Sequence, residues 1–174
     1  TVEIPTGTTR TSNHHIASAP TVEQPVPDGA VLPPVRPARI LVVDDLDDNR
    51  AVLERRLKRQ GHTVELAGGG HAALDRLARE PFDLVLLDVQ MPELDGLAVL
   101  ERMKADPGLR DIPVIMISAL DDVTSVVACI QRGAEDHLTK PFDPVLLRAR
   151  ISACLEKKRL RDVELEYLAA MGQV

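Results

Sequence analysis

The sequence predicts a doubly wound α/β fold, a parallel sheet between two layers of helices. Five short apolar runs alternate with five segments of helical spacing, and strict alternation forces right-handed crossovers and parallel strands. The most apolar run, Val85-Leu86-Leu87 reaching back to Phe82 with only Asp83 intervening, reads as a strand buried on both faces. Four of the five strand ends carry polar groups suited to one site: Asp44-Asp45, Asp88, Ser118 and Lys140. In open parallel sheets the carboxyl ends of the strands frame the ligand crevice.

The 174 residues suffice for one domain of ordinary size with something left over. With no Trp, one Tyr and two Phe, the core must be aliphatic, and the composition argues against base stacking on aromatic platforms as a binding mode. A net charge of −6 disfavours direct nucleic-acid binding through phosphates, while leaving room for local capture of a divalent cation. Cys129 and Cys154 stand in no ligand spacing and read as buried or half-buried thiols of a reducing cytoplasm. No apolar run approaches the 18 or so residues of a membrane span, and no secretory leader is visible. The start at Thr1 reads as a processed terminus or an excerpt of a longer protein.

Residues 1–38 hold seven of the 13 prolines and no apolar periodicity, so a disordered or extended lead-in is expected. His14-His15 within it reads as a solvated pair. Order begins at Arg39 with the strand Ile40–Val43, ending in Asp44-Asp45. A helix follows on Val52, Leu53 and Leu57, with Asp47 or Asp48 as its cap and Gly61 as its stop. The short strand His62–Ala67 leads through Gly68-Gly69-Gly70 to a helix on Ala72, Ala73, Leu74 and Leu77, ended by Pro81. After the strand ending in Asp88, a loop through Met91-Pro92 and Asp95-Gly96 precedes a helix over 97–105, broken by Asp106-Pro107-Gly108. The strand Pro113–Ile117 ends in Ser118-Ala119; Asp121-Asp122 then starts a helix with Val123, Val126, Val127 and Ile130 inward, stopped at Gly133. A weak strand, Glu135–Thr139, reaches Lys140-Pro141-Phe142, and Asp143-Pro144 caps and opens the last helix.

The simplest arrangement of five such units is the flavodoxin-like (βα)5 sandwich with strand order 2-1-3-4-5. It brings Asp44, Asp45 and Asp88 together at the switch point, with Ser118 and Lys140 arriving from strands four and five. Three clustered carboxylates repel one another unless a cation sits among them. Their oxygen-only donor set suits Mg²⁺. A carboxylate nucleophile, a metal, a lysine and a hydroxyl are the parts needed to attack and hold a phosphoryl group. Only His137, three residues before Lys140, lies near as a histidine, so no general base for an external substrate is evident.

Taken together, Asp44-Asp45, Asp88 with Met91-Pro92 and Asp95-Gly96, Ser118-Ala119 and Lys140-Pro141-Phe142 resemble the signature of a response-regulator receiver domain of two-component signalling. The resemblance covers roughly residues 38–158 and rests on five separated motifs in order. It implies that Asp88 accepts a phosphoryl group from a phosphohistidine on a sensor histidine kinase. It implies Mg²⁺ held by Asp45, Asp88 and the backbone carbonyl of Gln90, with Asp44 assisting. Ser118 is implied as the switch hydroxyl, Lys140 as the charge partner, and Lys140-Pro141 as a cis peptide. One departure stands out: the second switch position is usually Tyr or Phe in the family and is His137 here. Its imidazole either replaces the aromatic ring as a pH-responsive switch or is an exposed side chain with no such role.

The last helix runs on to about Ala170 without Gly or Pro. Leu160, Val163, Tyr167 and Ala170 follow coiled-coil spacing, while Leu165 and Leu168 fall off that seam. Residues 39–158 are therefore expected to form the receiver and 159–174 a helical linker toward a fused output domain. Homodimerisation is expected through this helix or through the face of the fourth helix, fifth strand and fifth helix. By analogy with similar tails, the output is a nucleotide cyclase, diguanylate cyclase or phosphatase. The chain itself is expected to transform no external metabolite. A Mg²⁺-dependent phosphohydrolase would place a second Asp two residues after the nucleophile, where Gln90 stands. A vestigial interaction module is disfavoured by the complete set of acids, hydroxyl and lysine.

Overall fold

The computed structural model describes residues 36–119 and 123–172. The expectations for most of the lead-in, for His14-His15 and for Asp121-Asp122 fall outside the described residues. Five strands alternate with five helices: β1 (Arg39–Val43), α1 (Asp47–Arg59), β2 (Thr63–Ala67), α2 (Gly70–Arg79), β3 (Leu84–Asp88), α3 (Gly96–Ala105), β4 (Val114–Ser118), α4 (Val123–Gln131), β5 (Asp136–Thr139) and α5 (Pro144–Met171). The strands form one parallel sheet in the order β2-β1-β3-β4-β5, the expected flavodoxin-like sandwich.

Alternation of side chains along each strand splits the core into two layers. Leu41, Val43, Val85, Leu87, Val114 and Met116 face the layer closed by Ala73, Leu77, Val99, Leu100, Met103 and Cys129. Ile40, Val42, Leu84, Leu86, Ile115 and Ile117 face the other, closed by Leu53 and Leu57 of α1 and by Leu147, Ile151 and Cys154 of α5. Every residue of β3 is buried, which explains its unbroken apolar run.

Helix ends follow local chemistry. Gly61 (φ +92°) and Gly133 (φ +99°) take the left-handed conformation after α1 and α4. Each lets the next amide reach back, His62 N–H to Leu57 O and Ala134 N–H to Cys129 O, in a Schellman closure. Asp143 caps α5 by accepting from the Val145 amide, with Pro144 at the first helical position. The cap expected at Asp47 or Asp48 is not there. Leu46 occupies the N-cap without a side-chain bond, and both aspartates lie in the first turn, where the helix dipole favours them.

The inward face of α4 also differs from expectation. Val123, Val127 and Ile130 are exposed, Val126 is half-buried, and Cys129 is the buried residue of the helix. A short helix with apolar residues on several faces gives no sequence cue to which face packs. Val52 of α1 is likewise exposed, leaving Leu53 and Leu57 to make that contact.

Candidate functional site

The strand registers assemble the crevice. Val43 pairs with Leu87, so Asp44, one residue on, arrives beside Asp88 at the end of β3. Asp88 pairs with Ile117, and Ser118 with Thr139, which bring the ends of β4 and β5 alongside. One oxygen from each of Asp44, Asp45 and Asp88 lies within 4.8 Å of the others. Asp44, Asp88 and Ser118 are buried, and Asp45 is half-buried.

Lys140 is the cation of this cluster. Its Nζ donates to Asp44 Oδ2 at 2.9 Å and to Asp88 Oδ2 at 3.2 Å. The peptide that follows it, Lys140-Pro141, is cis. Asp88 Oδ1 accepts from the Gln90 amide at 3.1 Å. Burial pushes the Asp88 carboxyl above its ordinary range; Lys140 and the Gln90 amide pull against this, and the Asp44 charge adds to it. Burial alone would lower Lys140, but its bond to Asp44 and the charges of Asp88 and Asp44 outweigh it and hold the ammonium above its usual value. The two shifts are compatible, because Lys140 answers to two carboxylates while Asp88 answers to one lysine and loses more water.

The loop after β3 is shaped by one close approach. Gly96 lies so near the strand end that a Cβ there would stand 2.0 Å from the Asp88 carbonyl oxygen. Only glycine fits, and its amide closes the loop by donating to Val89 O at 2.9 Å. Met91 and Leu94 tuck into the core beneath, and Asp95 Oδ1 caps α3 at the Ala98 amide.

Ser118 Oγ lies 2.9 Å from His137 Nε2. His137 is half-buried, and burial holds its imidazole below the ordinary value against the opposing charge of Asp136. The hydroxyl and the imidazole thus form a bonded pair at the rim of the acidic cluster.

Two residues of the site are absent from the sequence reading. Asn49 Nδ2 donates to Asp44 Oδ2 at 3.1 Å, and Arg50 Nη1 donates to the Asp44 carbonyl at 2.6 Å. Both sit in the first turns of α1, directly after the Asp44-Asp45 strand end. That proximity was the available signal, hidden because polar residues are the default on a helix surface.

An oxygen-lined pocket of this kind can hold a divalent cation, and the donor set fits Mg²⁺. Comparisons with known proteins agree with the architecture. The response regulator receiver domain family matches residues 40–152. The chain is 43% identical over 136 residues to the response regulator PleD of Caulobacter vibrioides, covering 78% of this chain and 30% of PleD. It is 42% identical over 133 residues to the response regulator MprA of Mycobacterium ulcerans, covering 76% of this chain and 56% of MprA. It therefore spans between 30% and 56% of the length of these relatives. Among solved structures, NtrX of Brucella abortus superposes with a TM-score of 0.71 at 34% identity, over 76% of this chain and 30% of NtrX. The receiver domain of a signal transduction histidine kinase from Syntrophus aciditrophicus gives 0.65 at 35% identity, over 69% of this chain and 91% of its own. With the sheet order, the strand-end acids and the family match in agreement, the chain belongs to the response regulator receiver domains of two-component signalling.

Proposed function

We propose that Asp88 is the phosphoryl acceptor of this receiver, charged by the phosphohistidine of a sensor histidine kinase. The observation that carries the reading is the single lysine bridging Asp44 and Asp88 inside a cluster of three carboxylates. A carboxylate oxygen of Asp88 attacks phosphorus, the phosphorus–nitrogen bond breaks, and its electron pair stays on the donor imidazole. Asp45, Asp88 and the Gln90 carbonyl, with Asp44 assisting, would hold Mg²⁺. The ion, when bound, offsets the crowded negative charge of carboxylates and phosphoryl oxygens. Lys140 keeps its proton throughout and turns from Asp44 toward the new phosphoryl oxygens. Ser118 leaves His137 to donate its hydroxyl to the same group, so His137 senses the modification. Hydrolysis of the acyl phosphate resets the site, and the chain acts on no external metabolite.

The output is read on the other side of β5. Val123, Val127 and Ile130 of α4 and Val145 and Leu146 of α5 are exposed apolar side chains, which suits homodimerisation through the α4-β5-α5 face. Leu160, Val163 and Tyr167 are exposed on the extension of α5, which supports pairing along that helix as well. Residues 39–158 act as the receiver and 159–174 as the link to a fused output domain, a nucleotide cyclase, diguanylate cyclase or phosphatase. The setting is cytoplasmic; among the described residues no helix is long and apolar enough to cross a membrane.

Treatment with a small phosphodonor and Mg²⁺, then borohydride, converts an aspartyl phosphate to homoserine. Peptide mass spectrometry should find homoserine at position 88 alone. Conversion elsewhere, or none, sinks the assignment. Light scattering of the phosphorylated sample should show a larger dimer fraction, weakened in His137→Ala; an unchanged fraction in that variant removes His137 from the switch.

A further inference from the structure

Asp44 is held from every side. Its amide donates to Ala67 O at 3.2 Å, and its Oδ1 accepts from the Leu46 amide at 2.9 Å. Its Oδ2 accepts from Asn49 and Lys140, and its carbonyl accepts from Arg50 Nη1 at 2.6 Å. That carbonyl lies past the end of β1 and before α1, beyond the strand pairing and ahead of the helical ladder. Among the described residues, Arg50 is its donor.

The other branch of the guanidinium, Nη2, pairs with Asp47. One rigid fork therefore grips the turn at residues 44 and 47, on either side of Asp45 and Leu46. The fork is itself confined: its side chain is 17% exposed, and a Cβ on Gly68 would stand 3.4 Å from Nη1. Asp45 sits between the two grips. Its carboxylate has no hydrogen-bond donor among the described residues, so the turn's backbone alone sets its direction. Asp44, by contrast, has both carboxylate oxygens engaged by protein donors.

We propose that Arg50 is a positioning residue for the divalent cation: by clamping the β1–α1 turn it aims the free carboxylate of Asp45 at Asp88. The proposal rests on the receiver reading given above. Arg50 touches neither the ion nor the phosphoryl group, so its effect falls on metal affinity and disappears once metal saturates the site. Groups that orient metal ligands in this way are typically worth about 10-fold or more in affinity.

The test uses the full chain and two readouts. Calorimetric titration with Mg²⁺ alone gives the metal affinity; the Mg²⁺ dependence of phosphorylation by a small phosphodonor gives a half-saturating concentration and a limiting rate. Arg50→Met keeps the stem and removes both donors. It should weaken Mg²⁺ about 10-fold in both readouts while the limiting rate stays within about twofold. Arg50→Lys, with one donor instead of a fork, should fall between Arg50→Met and wild type. Asp47→Ala, at an exposed position, removes the acceptor and so frees one arm of the fork without touching the core, and should shift Mg²⁺ affinity in the same direction by a smaller factor. Wild-type metal affinity in Arg50→Met, or a lowered limiting rate at an unchanged half-saturation, overturns the proposal. Should Arg50→Met fail to fold, Asp47→Ala decides: an unchanged affinity there overturns it. A wild-type chain that takes up neither Mg²⁺ nor a phosphoryl group would sink the receiver reading and this proposal with it.

Discussion

Lys140 donates to two carboxylates on two different strands, and that bridge is the smallest unit of the site's chemistry. Removing either carboxylate leaves the ammonium with one partner; removing the lysine leaves two buried anions facing each other. The strand-end acids, Ser118 and Lys140 were legible in the sequence because a polar group ending an apolar strand is anomalous. Asn49 and Arg50 were not, because nothing in a helical pattern separates a polar residue facing a crevice from one facing water. His62 escaped for another reason: it reads as an ordinary strand residue, yet it is buried, with Nδ1 accepting from the Ala38 amide at 3.2 Å and Nε2 without a partner among the described residues. Burial, reinforced by the charge of Arg148, holds its imidazole below the ordinary value. The unfolded chain therefore takes up this proton first, near pH 6.5. Stability from His62 is complete above that pH, declines as pH falls below it, and levels off once the folded imidazole is also protonated. Melting temperatures between pH 7.5 and 5 should fall less steeply in His62→Gln than in wild type, and equal slopes would refute this.

At the scale of elements, α5 joins the domain to whatever follows. Leu147, Ile151 and Cys154 line its buried face, and Leu165 stands eighteen residues, about five turns, past Leu147 on the same line. Leu165, off the Leu160-Val163-Tyr167 seam, thus falls in line with the buried stripe of α5 but is itself exposed. Glu135, just before β5, holds the extension down. Its carboxylate meets Lys157 Nζ at 2.7 Å and Arg161 at 3.5 Å, with its side chain 15% exposed. Burial raises Glu135, but the bond to Lys157 and the charges of Lys157, Arg161 and Lys104 outweigh it and leave the group below its ordinary value. This anchor is present at neutral pH and lost as acid protonates Glu135. Glu135→Gln removes the charge at constant shape, so hydrogen exchange should quicken at residues 157–163 and stay unchanged in β3. Unaltered protection in that segment would show that Glu135 does not hold the helix. The exposed apolar face of α4 shows where sequence reading stops: the helix and its stop at Gly133 were legible there, but the packed face was not.

For the molecule as a whole, strict strand–helix alternation left few ways to connect five parallel strands by right-handed crossovers, and the simplest of them, 2-1-3-4-5, is the order observed. The two core layers follow from the period of two along each strand. What alternation does not encode is how the crevice is trimmed, by Gly96 against the Asp88 carbonyl and by the α1 side chains around Asp44. The central claim is that this trimmed crevice makes Asp88 a phosphoryl acceptor. Intact mass after incubation with a small phosphodonor and Mg²⁺, with Asp88→Asn beside wild type, tests it most directly. One added phosphoryl group on wild type and none on the variant is the predicted result. An unlabelled wild type, under conditions where another receiver is labelled, would contradict the account and leave a domain that signals by contact alone.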